Sequence, residues 1–337
     1  MPEHTDSQSS STAAARRKTT ASAAGTRLSP HCGAYAFLWC AATATVFFFF
    51  WKFFPEQNMA FAKHSILGFS FISLLRATLG LAVPFAFFAY RYRYSATEFM
   101  GRRIAFHWVI QSVFLGLAVA VVALSGHNLT IWFSIQRGFR LPLPAYLFPL
   151  ERLHGASSVM LLLTAGILLP ILAGEALFRG LLLPTFPTRK TSVNILFGAI
   201  VFALYIQSPA DALPVFLAGI ALGCIRFTSG HILSSILTLL STAGFMYLFS
   251  RFLPFLPYTL FELNSEAGAY PVHTDIIALG AGILLMLMIL DQCRRNMRIE
   301  REGEPTKPVN EITVTGQIPQ WTTIAGLITL LLPWFFM

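Results

Sequence analysis

Two ionisable residues, Glu175 and Arg179, stand four apart in Ala173-Gly174-Glu175-Ala176-Leu177-Phe178-Arg179-Gly180, inside one of the most apolar parts of the chain. On a helix this spacing puts both on one face, where a carboxylate and a guanidinium can pair. Charged groups inside a membrane span are expensive and are functional candidates by default. A polar pocket built on a held carboxylate and an ion pair that only secures helix packing both remain open. Arg76 lies mid-run, about eight residues deeper than Glu175, or roughly 12 Å at 1.5 Å per residue. That is too far for an obvious partner, and backbone carbonyls, Ser73 or Thr78 could satisfy it. His107 begins another apolar run at the depth expected for Glu175 and is the weak candidate for an acid; a solvated place at the helix end is the alternative. His231 is read as a solvated residue at the membrane boundary.

Other chemistry has no support. The cysteines Cys32, Cys40, Cys224 and Cys293 form no C-x-x-C pair and no metal-spaced cluster with histidine, so neither a disulfide framework nor a zinc site is implied. No phosphate-binding glycine loop, nucleophile elbow or H-E-x-x-H occurs. No cofactor and no metal are expected.

The elements that must position these residues follow from composition. Of 337 residues 55% are hydrophobic, 14% aromatic and only 12% charged, against about a quarter charged in a soluble domain. A bilayer core of about 30 Å needs about 20 mostly apolar residues per helix. Such runs recur at roughly Ala34–Phe54, Ser65–Tyr90, Ile104–Ser125, Ala156–Leu183, Ser192–Gln207, Leu213–Phe227, Ile232–Phe252, Ile276–Leu290 and Trp321–Phe336. The expected fold is therefore an all-α polytopic membrane protein of about nine helices. With the N-terminus inside, sixteen of the 24 Lys and Arg fall in cytoplasmic segments, as the positive-inside rule asks. This asymmetry accounts for most of the +9 net charge and leaves no call for nucleic acid.

Residues 1–32, rich in Ser, Thr and Ala with Arg16, Arg17 and Lys18, read as a disordered cytoplasmic tail. Residues 33–154 hold the first helices and an interfacial or re-entrant segment, Asn128–Leu150, which mixes aromatic residues with Arg137, Arg140 and prolines. Asn128-Leu129-Thr130 also fits a glycosylation sequon. The core spans 155–253. Residues 254–337 carry the last helices, with a polar linker at 294–320. Gly219 and Gly223 form G-x-x-x-G, which permits close helix approach and is assigned to internal packing.

The stretch Gly174 to Leu183 resembles the first motif of the CPBP family, the CAAX-type intramembrane endopeptidases and bacteriocin-processing or immunity proteins. That motif is Glu-Glu-x-x-x-Arg, commonly continued Gly-Leu-Leu. Leu196-Phe197-Gly198 with Phe202, then Phe216 to Gly223, then Arg226 to Leu233 resemble the segments that follow it, over about residues 155–250. The resemblance implies a CPBP-like helical core and a water-activating first Glu, but that position is Gly174; Glu175 and Arg179 match the second Glu and the Arg. The second motif's His falls on Ile206, or on Val201 in another register. The third motif's His and its Asn or Asp fall on Leu239 and Thr242.

Amide hydrolysis needs a base and donors for the developing oxyanion. A carboxylate already committed to an arginine is a poor base, and Ile and Leu donate nothing. The leading expectation is a catalytically inactive, CAAX-protease-like protein that acts as a scaffold, assembly factor or subunit for another membrane protein. The alternatives are a divergent peptidase using Glu175 and His107, and a lipid- or prenyl-chain-binding protein using the emptied cavity. A membrane-protein partner is expected, with lipid as a second possibility. A bacterial inner membrane with the N-terminus cytoplasmic fits the topology and the resemblance, although the acid-poor tail also suits an organelle-targeted chain.

Overall fold

The computed structural model describes residues 30–53, 66–92, 100, 104–138, 156–185, 191–252, 272–303 and 320–335. Among them the regular elements are all helical. The helices are α1 (Pro30–Phe53), α2 (Ile66–Arg91), α3 (Phe106–Gln136), α4 (Ala156–Thr185), α5 (Thr191–Ile206), α6 (Ala212–Ser229), α7 (Ile232–Phe252), α8 (Val272–Gly303) and α9 (Gln320–Phe335). Seven of these, all but α5 and α9, are long and apolar enough to cross a membrane. The chain is an integral membrane protein.

The prolines inside the helices explain their irregularity. A proline lacks an N–H and clashes with the carbonyl four residues back. Here Pro84, Pro170 and Pro184 each stand two residues after a wider π-helical turn, at Thr78–Ala82, Leu162–Leu168 and Ala176–Leu182. The bond pattern shifts by one residue: Val83 N–H reaches Thr78 O, Leu169 reaches Thr164 O and Leu183 reaches Phe178 O. Widening the turn lets each helix continue past its proline, a known use of π-bulges.

Packing then follows two seams. α3 lies against α6, α7 and α8, while α1 pairs with α9 and touches α2 and α4. Small residues make the close approaches. A Cβ on Gly219 would meet Ala199 Cα at 2.8 Å and one on Gly223 would meet Ile195 Cγ2 at 2.8 Å, so the G-x-x-x-G stripe seats α6 on α5. Gly116 faces Thr238, Ser241 and Thr242 of α7, and Gly326 of α9 faces the Phe37 ring of α1. Gly230, at φ +72°, ends α6 in the left-handed region and returns its N–H to Arg226 O. This is the backbone that glycine supplies at a helix C-terminus.

Two boundaries differ from expectation. α3 continues unbroken to Gln136, eleven residues past Ser125, so the first part of the expected interfacial segment is ordinary helix; residues 139–150 lie outside the described residues. Asn128 is fully buried on α3, which removes it as a glycosylation site. α8 likewise carries on through Arg294 to Gly303, so the stretch expected as a linker opens as helix, with Arg295 and Asp291 paired on its surface at 2.7 Å. The tail at 1–29 and the stretch 304–319 fall outside the described residues.

Candidate functional site

Glu175 closes the α-helical stretch before the last π turn of α4, and Arg179 lies within that turn. Both are buried, at 0% and 3% exposure, and Arg179 Nη1 meets Glu175 Oε1 at 2.9 Å. The approach is off the angle of a hydrogen bond, so charge attraction holds the pair. The guanidinium lies 4.3 Å from the centroid of the Phe202 ring and 5.8 Å from that of Phe178. Such a stacked place suits the flat, weakly hydrated Arg head.

Across from the pair stands α7 with a stripe of buried hydroxyls, Ser234, Ser235, Thr238 and Thr242. Their positions, separated by one, three and four residues, put them on one helical face. Each returns its proton to a backbone carbonyl. Ser234 donates to His231 O at 2.7 Å, Ser235 to Ile232 O at 2.9 Å and Thr238 to Ser234 O at 2.8 Å. Thr242 reaches both Thr238 O and, across to α3, Gly116 O. The groups acting on the Glu175 carboxylate are Arg179, Ser235 and, at longer range, Arg226. A Cβ on Gly174 would meet only Leu81 Cδ1 at 3.8 Å, so the position beside Glu175 has room for a side chain.

The structure places the other candidates elsewhere. Arg76 donates to Tyr205 O at 2.8 Å and Ile206 O at 3.5 Å, with its head 5.0 Å from the Tyr205 ring centroid. It caps the C-terminal carbonyls of α5, a favourable place for a cation, and neither Ser73 nor Thr78 is needed. His107 lies against the Trp108 ring, centroids 5.0 Å apart, nine residues or roughly 13 Å along α3 from Gly116. It is not among the groups acting on Glu175. His231 is 5% exposed, not solvated, because the turn after Gly230 folds it inward against Ser229. Val201 is buried in the α1–α4–α5 core with Ile206 packed at its edge. Among the described residues, no group of three His, Cys, Asp or Glu could hold a metal ion, and the four cysteines are free.

A second polar cluster, which the sequence expectations do not include, lies at the far end of α3. His127 Nδ1 meets Asp211 Oδ1 at 2.6 Å, and Ser208 Oγ donates to Asp211 Oδ2 at 2.6 Å. Beside it Asn128 of α3 lies close to Asp275 in the first turn of α8. The two carboxylates stand at the N-terminal ends of α6 and α8, where helix dipoles favour negative charge. Adjacent residues of α3 thus face the starts of two helices, and His127 is bonded to one of them. The sequence signal for it is the length of the α3 run: an end at Ser125 puts His127 and Asn128 outside the membrane, whereas the helix runs on to Gln136. The hydroxyl stripe was legible as Ser-Ser-x-x-Thr-x-x-x-Thr at helical spacing.

Against known families, residues 156–241 match the model described as Type II CAAX prenyl endopeptidase Rce1-like. The match covers α4, α5, α6 and the first half of α7, the elements that build the Glu175 site, and it agrees with the resemblance drawn from the motifs at 155–250. Neither the curated proteins nor the solved structures give a match.

Proposed function

We propose that this chain is a non-hydrolytic relative of the CAAX-type endopeptidases that holds or assembles another membrane protein. The observation that carries the proposal is the inner surface facing Glu175. Where the family's catalytic Glu is expected stands Gly174, and the opposing helix offers serine and threonine hydroxyls already committed to their own backbone. The positions expected to carry imidazoles hold Ile206 and Leu239. A glutamate held by Arg179, with no second acid or base beside it among the described residues, has no partner there to share the proton transfers of amide hydrolysis. The remaining pair then serves as a buried fastener for α4 against α5 and α7.

Such a protein acts through contacts rather than turnover, so its partner leaves with it in mild detergent. Native mass spectrometry of the chain extracted from its host is expected to show a second membrane protein at stoichiometric ratio. Glu175→Ala is expected to lower the yield of folded protein without a precursor peptide building up. An uncut membrane precursor that accumulates in this variant and is processed by wild type overturns the proposal. The positive-inside count assigns the N-terminus to the cytoplasm, in keeping with a bacterial inner membrane, and a reporter fused at residue 1 tests it by activity on that side alone.

A further inference from the structure

Away from the Glu175 site, α1 and Phe88 of α2 form an open groove of about 370 Å³ lined by Tyr35, Leu38, Trp39, Ala42, Thr43 and Phe88. Its origin lies in Pro84. The π turn before it would direct Leu79 O to an N–H that proline lacks, and the Trp39 indole N–H takes that carbonyl instead, at 3.0 Å. The bond holds the indole across toward α2 as a side wall. Tyr35 stacks on Phe88, centroids 6.4 Å apart, and borders the end nearest Arg91. From Tyr35 to Thr43 the groove runs eight residues, roughly 12 Å along α1. Its volume is near the lower end of the roughly 300–1,000 Å³ usual for ligand pockets, which suits one hydrocarbon chain.

Among the described residues, the groups beyond the Tyr35 and Phe88 end of the groove are polar and basic. Arg91 follows Phe88 by three residues, hence on nearly the same face of α2, and is exposed. The Tyr92 phenol sits among Cys32, Tyr35 and Arg91, and its burial first, then Cys32 and Tyr35, hold it above the ordinary tyrosine range, so it stays a neutral donor. His31 stacks on Tyr35 at 6.4 Å. Neither α1 nor α2 contains an acidic residue. An apolar slot in the hydrocarbon region that opens at the helix ends onto a guanidinium and a phenol has the division of an anionic lipid.

We infer that the groove between α1 and α2 is a binding site for one anionic phospholipid, with an acyl chain along Leu38, Ala42 and Thr43 and its phosphate at Arg91 and Tyr92. The site is separate from Glu175 and independent of whether that pair is catalytic. Ala42 is exposed to the groove, so Ala42→Trp fills the slot without entering the core, and Arg91→Gln removes the charge while leaving the slot open. The full-length protein in mild detergent is titrated with equal amounts of phosphatidylglycerol and phosphatidylcholine and read by native mass spectrometry. Wild type is expected to keep one phosphatidylglycerol at least fivefold over phosphatidylcholine. Arg91→Gln is expected to lose the preference, and Ala42→Trp to lose the bound lipid with an unchanged melting temperature. Equal retention of the two lipids by wild type, a preference that survives Arg91→Gln, or an Ala42→Trp variant that still holds its lipid overturns the inference. So does a bound free fatty acid in place of phospholipid.

Discussion

Alanine at Glu175 strands the Arg179 guanidinium in a fully enclosed site, and alanine at Arg179 strands the carboxylate. Breaking a buried ion pair by removing one partner costs about 3–5 kcal/mol, because the remaining charge has neither water nor partner. The two sides are not equivalent here. Without Glu175, Arg179 still has the Phe202 ring at 4.3 Å, and a desolvated cation–π contact is worth about 2 kcal/mol. Without Arg179, Glu175 has, among the described residues, Ser235 close by and Arg226 further off. Glu175→Ala should therefore fall near the lower figure and Arg179→Ala near the upper. At about 2.1 cal/mol/K of unfolding entropy per residue, a chain of 337 residues shifts by about 1.4 °C per kcal/mol, so the losses in melting temperature are about 4 °C and about 7 °C. The double variant Glu175→Leu, Arg179→Met replaces the pair by apolar side chains of similar volume, and such replacements are often neutral or stabilising. Melting in detergent, followed by fluorescence-detected gel filtration, should put it within about 1 kcal/mol of wild type or above. A double variant no better than Arg179→Ala refutes the fastener reading. So does a Glu175→Gln variant more stable than wild type, since stability surrendered at one residue marks a site kept for activity.

Gly174→Glu should fold, because the added Cβ meets only Leu81 Cδ1 at 3.8 Å, yet show no cleavage of a membrane-peptide library, since Ile206 and Leu239 still lack imidazoles. Gly219→Val should lose about 1–3 kcal/mol by overpacking, its Cβ lying 2.8 Å from Ala199 Cα, while Gly244→Ala, with nothing within 4 Å, should gain up to about 1 kcal/mol of helix propensity; thermal melts of the two variants check the contrast. His127→Ala removes a donor from a buried carboxylate and should cost about 1.5–3 kcal/mol, and deuterium exchange should rise at residues 207–211 more than elsewhere. Expressed in a host that glycosylates, Asn128→Gln should migrate as wild type on a gel, because Asn128 is enclosed on α3.

Much of this protein is written locally. The paucity of charge and the recurrent apolar runs determine the membrane class, because a bilayer accepts only chain that satisfies its own backbone, and the helix rise sets how long each run must be. The Glu175–Arg179 pairing is equally local, since a four-residue spacing on a helix leaves the two heads little choice. The prolines at 84, 170 and 184 carry a local consequence too, in the widened turns that precede them. What lies opposite each of these features is decided by packing between residues far apart in the chain. That α7 presents hydroxyls to Glu175, and that α3 runs on far enough for His127 to reach Asp211, 84 residues away, depends on where Gly116, Gly126 and Gly282 let backbones approach. The same holds for Trp39 and Leu79 O, 40 residues apart. Spacing along one helix is a property of the chain, whereas the partner across a helix–helix seam is chosen by the fit of two surfaces, and that fit exists only in the assembled bundle.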